Sequence, residues 1–194
     1  MATTTFDGST FDGTALLLQD DLLHQDVEHL GDLLPEPRTC LDHLAASIRR
    51  VFELTDDEGA LLVIEIDDAD PLETDSQNVL LDHVAAIARQ SIRKSDVLER
   101  LDYRTVAIGL PHSGRIGMTR VADAIRQRVA AAEVDDSEGR RPTTITIGAV
   151  HTTEAKMVEL DELLLAARVN LDAARAAGKN RTNWSDWGSL TQAT

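Results

Sequence analysis

Arg93-Lys94-Ser95-Asp96-Val97-Leu98-Glu99-Arg100-Leu101-Asp102-Tyr103-Arg104-Thr105-Val106-Ala107-Ile108-Gly109-Leu110-Pro111 reads as two short strands joined at a polar turn. The first strand carries Val97 and Leu101. The second carries Val106, Ile108 and Leu110 at period two, which puts all three on one face. The turn falls at Asp102 to Arg104. An Arg-x-x-Asp pair, Arg93 and Asp96, stands just upstream.

Outward from this hairpin, helices and strands alternate. Ala60-Leu-Leu-Val-Ile-Glu-Ile66 is a nearly continuous apolar run and suits a central buried strand. Glu65 is its one charge, and Asp67, Asp68 and Asp70 follow it as a solvated acidic loop. The spacing predicts helices over about 38–52, 76–92, 114–132 and 160–177, with Gly178 as C-cap of the last. Residues 143–150 read as a strand, 135–141 as a loop, and 181–184 as a last edge strand. The order after residue 37 is α-β-α-β-β-α-β-α-(β). This predicts an α/β sandwich, a central mixed β-sheet containing a β-hairpin and flanked by helices, closer to a ferredoxin-like or polymerase-palm arrangement than to a Rossmann fold.

The chain has 194 residues, which suits one domain with additions at its ends. Hydrophobic residues make up 42% and aromatics 3%, so the core is built from Leu, Val, Ile and Ala. The sequence holds no apolar run of membrane-spanning length and no basic-then-apolar N-terminus. The single cysteine, Cys40, forms no internal disulfide, and a cytoplasmic location is expected. The net charge of −15 argues against nucleic-acid and membrane partners. Residues 1–92 carry 20 acidic against 4 basic residues, whereas residues 93–194 carry 14 against 15. The acidic half reads as a solvated surface; the balanced half leaves room for a local basic site for an anion. Residues 1–13 read as a flexible tail, 14–34 as a leucine-rich helix, 35–184 as the folded domain and 185–194 as a second tail. The 14–34 helix is a candidate surface for a protein partner or a homodimer.

Six segments, in order, resemble the GGDEF family of diguanylate cyclase domains over about residues 32–184. Asp32 to Leu44 is similar to its opening Leu-Pro-x-Arg segment, and Ile64-Glu-Ile-Asp67 stands at its first strand end. Arg93-Lys-Ser-Asp96 resembles its product-binding Arg-x-x-Asp site, and Asp102-Tyr-Arg-Thr-Val106 occupies the Gly-Gly-Asp-Glu-Phe signature. Thr144-Ile-Thr-Ile-Gly148 and Ala174-Arg-Ala-Ala-Gly-Lys-Asn-Arg181 resemble its later strand and its closing segment.

The resemblance implies the family's palm-like fold, but its catalytic letters are mostly replaced. A cyclase uses divalent metal ions, held by carboxylates, to help a 3′-oxygen attack an α-phosphate. Here Glu65 is the one candidate metal ligand, Arg104 and Thr105 replace the signature acids, and Asp102 and Tyr103 replace its glycines. The guanine-reading region is also altered: Glu73 and Thr74 stand at its Asn-Asp positions, with Asn78 the nearest alternative. The resemblance assigns Arg93 and Asp96 to cyclic di-GMP, with Arg100 adding positive field, and Arg175 and Lys179 to phosphate contacts. A guanidinium fork and a carboxylate match the phosphate and guanine edges. The bland alternatives are a salt bridge or turn cap at Arg93 and Asp96, and dipole complementation at Arg175 and Lys179.

The expected function is a non-catalytic GGDEF-like signalling module without cofactor, acting by protein interaction and cyclic di-GMP binding. The alternatives are an active diguanylate cyclase, which would need Mg²⁺, and a structural dimerisation domain without ligand.

Overall fold

The computed structural model describes residues 46, 58–69, 74–136, 139–153 and 159–187. The helix expected over 14–34, the first tail and the opening family segment lie outside them, as do the 38–52 helix apart from Ala46 and the second tail from residue 188; Ser185 and Asp186, expected in that tail, belong instead to the last strand. The described chain runs β1 (Gly59–Ile66), α1 (Thr74–Ser91), β2 (Val97–Arg100), β3 (Thr105–Pro111), α2 (Arg115–Ala131), β4 (Glu133–Asp136), β5 (Gly139–Pro142), β6 (Ile145–Thr152), α3 (Leu160–Ala176) and β7 (Thr182–Asp186).

Five strands form one mixed sheet in the order β2-β3-β1-β6-β7. Strand β1 lies in the centre, antiparallel to both β3 and β6, and all eight of its residues are buried. That accounts for its near-continuous apolar run. Strand β7 pairs parallel to β6 at one edge, and β2 closes the other edge against β3.

The period-two alternation sorts the side chains between two cores. Leu62, Ile64 and Ile66 of β1, with Val106, Ile108 and Leu110 of β3, meet α1 and α2 through Leu80, Val84, Met118, Ile125 and Val129. Leu61, Val63 and Ala107 face the other way and meet α3 through Leu163, Ala167 and Leu171, with Val97 and Leu101 of the hairpin on the same side. Glu65 shares the parity of Leu61 and Val63, so the sheet itself turns its carboxylate toward α3.

Helix α3 lies close to the sheet at Gly148. A Cβ there would sit 2.1 Å from the Ala167 carbonyl oxygen and 2.3 Å from the Leu171 amide nitrogen. Asn170 fastens the same contact, donating to the Ala149 carbonyl at 2.7 Å and to Ser185 Oγ at 2.8 Å. The helix ends at Gly178, whose φ is +116°. The Gly178 N–H reaches the Arg175 carbonyl and the Lys179 N–H reaches that of Ala174, which is a Schellman ending.

The loop expected over 135–141 is instead part of a two-stranded ribbon, β4 with β5. Val134 of β4 is buried in the core, but one apolar residue in a four-residue strand gives no alternation to announce it. The register of the two strands pairs Val134 with Arg141 and Asp135 with Arg140.

At the end of the sheet remote from Glu65, His151 is buried between two carboxylates. Its Nδ1 is 3.0 Å from Asp186 Oδ1 and its Nε2 is 3.2 Å from Glu58 Oε2. Arg115 Nε adds an ion pair to Asp186 at 2.8 Å.

Candidate functional site

A cleft of about 230 Å³ opens between the hairpin turn and α3, lined among others by Glu65, Asp102, Arg104, Arg168, Asp172 and Arg175. Glu65 enters from the end of β1, where the register places it between Thr105 and Thr146. Arg168, Asp172 and Arg175 follow at helical spacing on one face of α3.

Asp102 shapes the turn. Its Oδ1 accepts from the Arg104 N–H at 3.0 Å, and the Thr105 carbonyl accepts from the Leu101 N–H at 2.8 Å. None of Asp102, Tyr103 and Arg104 has a positive φ. The turn therefore needs no glycine, and the bulk of Tyr103 is directed outward: its ring is exposed, with the Arg104 guanidinium 5.5 Å from its centroid.

Two guanidiniums converge on Glu65. Arg175 Nε lies 3.2 Å from Oε1 and Arg104 Nε 3.5 Å from Oε2. Burial pushes the Glu65 carboxyl above its ordinary range, against the downward pull of Arg104 and Arg175. Arg175 also faces Asp172 at 3.5 Å. Arg168 makes no ion pair or hydrogen bond among the described residues.

Asp67 is not the solvated acid the sequence suggested. It is buried and accepts from Thr144 Oγ1 at 2.7 Å, Thr146 Oγ1 at 2.6 Å and the Asn180 N–H at 3.1 Å. The positive φ values of Lys179 and Asn180 carry the chain back so that this amide meets it. Asp68 is exposed and pairs with Lys179 Nζ at 2.5 Å. The two candidate phosphate contacts thus diverge: Arg175 turns into the cleft and Lys179 onto the loop after β1.

The Arg-x-x-Asp pair stands apart from the cleft lining. Asp96 is buried and its Oδ2 accepts from the Arg93 backbone N–H at 2.7 Å, while the Asp96 N–H reaches the Arg93 carbonyl at 3.2 Å. The carboxylate is a turn cap, and the Arg93 side chain projects into solvent. Arg100 is a tie: its Nη2 donates to Asn78 Oδ1 at 2.6 Å and its Nε to the Asp102 carbonyl at 3.0 Å. Asn78, considered from the sequence as a guanine reader, is thereby joined to the hairpin turn.

Sequence reasoning missed Arg168 and Asp172. Their positions two turns and one turn before Arg175 on the same helix are the signal available. Among the described residues, no cluster of three His, Cys, Asp or Glu could hold a metal ion, and no helix is long and apolar enough to cross a membrane.

A mixed sheet with an antiparallel hairpin at one edge, helices on both faces and a cleft at the hairpin turn defines a palm-type α/β domain. Residues 34–181 match the family model described as diguanylate cyclase, GGDEF domain, and the chain belongs to that family. Solved structures agree in fold. The GGDEF domain of TpbB, or YfiN, from Pseudomonas aeruginosa is 21% identical, covering 82% of this chain and 94% of that one, with a TM-score of 0.62. The GGDEF domain of DgcB from Caulobacter crescentus, solved with cyclic di-GMP, is 16% identical over 78% and 91%, with a TM-score of 0.66. The diguanylate cyclase SiaD from Pseudomonas aeruginosa, solved with its activator SiaC, is 17% identical over 88% and 67%, with a TM-score of 0.69. No protein with a curated description matches the sequence.

Proposed function

We propose that this chain is a non-catalytic signalling module of the GGDEF family, which acts by binding a protein partner and takes cyclic di-GMP at Arg93 and Asp96. The observation that carries the first part is the saturation of Glu65 by Arg104 and Arg175. A divalent cation of the Mg²⁺ type requires oxygen ligands in near-octahedral array. The residues that meet here do not fit it: two fixed cations hold Glu65, Asp172 faces Arg175 at the rim, and the nearby Asp67 is spent on two threonines and an amide. Asp102, the other acid of the turn, is engaged by the Arg104 N–H.

The ligand and partner parts rest on kinship and on exposure. DgcB was solved with cyclic di-GMP and SiaD with a protein activator. The Arg93 side chain is exposed beside a carboxylate, the pairing such a ligand recognises. The leucine-rich residues 14–34 are the proposed partner surface, and a cytoplasmic location goes with this function.

Incubation of the full chain with GTP and Mg²⁺ or Mn²⁺, followed by chromatography, tests the catalytic part. No cyclic di-GMP is expected. Turnover that disappears in Glu65→Ala would overturn it.

A further inference from the structure

His151 joins several elements at the end of the sheet remote from Glu65. It stands in β6, where the register pairs it with Ala60 of β1 on one side and Asp186 of β7 on the other. Its side chain is 3% exposed. Each ring nitrogen faces a carboxylate oxygen, Nδ1 that of Asp186 at 3.0 Å and Nε2 that of Glu58 at 3.2 Å. A neutral imidazole carries one N–H and one lone pair, whereas an imidazolium carries two N–H groups. Only the charged ring can donate to both carboxylates.

The two carboxylates are held unequally. Asp186 also accepts from Arg115 Nε of α2 at 2.8 Å, and the Trp187 N–H that follows it reaches the His151 carbonyl at 2.7 Å. Asp186 therefore keeps the Nδ1 proton when the ring loses its charge. Glu58 has His151 as its one hydrogen-bond and ion-pair partner among the described residues, and its side chain is 48% exposed. Gly114, just before α2, leaves the room that this carboxylate fills: a Cβ there would lie 2.7 Å from Glu58 Oε1. The N-terminus of α2 attracts the carboxylate in both states, so the ring alone distinguishes them. His112, next after the Gly59–Pro111 pair at the same end of the sheet, is exposed.

We infer that His151 is a proton-operated clasp on Glu58: the imidazolium holds the residue that leads into β1, and the neutral ring releases it. In the neutral form the Nε2 lone pair faces a carboxylate oxygen, two acceptors with no proton between them, and Glu58 turns out into water. Glu58 directly precedes Gly59, the first residue of β1, so its release loosens the point at which the preceding chain joins the sheet. Imidazole changes charge across about pH 5–8. A carboxylate beside it favours the charged form, so the clasp is closed at the acid side of that range and opens as pH rises. The clasp lies away from Glu65 and does not depend on the non-catalytic reading.

Two measurements on the full chain test it. The His151 ring, assigned through the β6 backbone, is titrated by NMR across about pH 5–8. Its proton affinity should fall about threefold or more in Glu58→Gln, the scale of a partly exposed ion pair, because a neutral amide can face either form of the ring. Amide-exchange protection at Gly59 and Ala60, corrected for intrinsic rate, should fall about threefold or more from the acid to the alkaline end in the wild type and stay level in Glu58→Gln. Gly114→Ala, at a φ of −71° that alanine adopts freely, puts a methyl where the carboxylate sits and should give the low protection at both ends. A His151 ring that does not titrate in this range, a proton affinity unchanged in Glu58→Gln, or protection independent of pH in the wild type would each overturn the inference.

Discussion

Arg104 Nε stands 3.5 Å from Glu65 Oε2, so the hairpin turn sets a permanent cation against the acid that closes the central strand. The contact joins two elements that the register already places side by side, since Glu65 pairs with Thr105. With Arg175 on the other carboxylate oxygen, the cluster fastens β1, the turn and α3 to one another. These ion pairs thus add electrostatic contacts at this end of the sheet.

Arg104→Ala should destabilise the domain by about 1–2 kcal/mol in urea unfolding. Breaking a fully buried ion pair costs more, about 3–5 kcal/mol, because a charge is left without a partner. Here Arg175 stays in place and the Arg104 side chain keeps 23% of its exposure, so the loss is smaller. The Glu65 carboxyl should titrate still higher in the variant, since one of its two stabilising cations is gone. Arg104→Asp should likewise yield no cyclic di-GMP from GTP. The rest of the signature stays altered, with Tyr103 in a turn built without positive φ.

Gly148→Ala should cost about 3 kcal/mol or more, read from the same unfolding midpoint. The added methyl would meet helix backbone, the Ala167 carbonyl at 2.1 Å and the Leu171 amide at 2.3 Å. Backbone cannot rotate away as a side-chain tip does, so α3 must shift or the strand must bend. A wild-type midpoint for this variant would mean that α3 stands farther from β6.

Asp67→Ala and Asp68→Ala should part sharply although the residues are adjacent. The first leaves Thr144, Thr146 and the Asn180 amide without their shared acceptor and should cost about 3 kcal/mol. The second removes an exposed, solvent-screened pair with Lys179 and should leave the unfolding midpoint near wild type. Equal effects would show that Asp67 is not the structural acid described above.

This contrast also marks what the sequence could disclose. The alternation of Val106, Ile108 and Leu110, the apolar run of β1 and the helical spacings of Leu80, Met118 and Leu163 are local patterns, and the sheet follows from them. The short β4 and β5, with Val134 a lone apolar residue in β4, carry no such pattern, and 135–141 reads as loop. Asp67 and Asp68 look alike in one dimension; the hydroxyls that capture Asp67 come from residues 144 and 146, far along the chain. The same holds for the cleft. Arg104 was recognisable as a misfit at a signature position, but its capture of Glu65, and the arrival of Arg168 on α3, depend on packing across the sheet.

Stability should respond to pH through two carboxyls of opposite sign. Glu65 is raised in the fold, so its contribution is fully present below its ordinary value of 4.5 and is lost as pH rises through its higher folded value. Asp186 is lowered. Burial alone would raise it, but hydrogen bonds from Arg115 and His151 outweigh that. Its contribution is present above its ordinary value of 3.8 and is lost as pH falls through its lower folded value. Urea midpoints measured across this range should therefore lose their decline on the alkaline side in Glu65→Gln and part of their acid-side decline in Asp186→Asn. Exchange of these two effects would reverse the assignments.

Arg93→Ala and Asp96→Ala separate ligand recognition from loop structure. Arg93 is exposed, so its removal should leave the unfolding midpoint near wild type. It should weaken cyclic di-GMP by about 1.5–3 kcal/mol, the range of a charged hydrogen bond. Asp96 caps the Arg93 amide from a buried position, so its loss should lower both stability and affinity. A calorimetric titration that shows binding unchanged by Arg93→Ala would move the ligand elsewhere. Loss of affinity in Asp96→Ala alone would mean that the turn matters and the guanidinium does not.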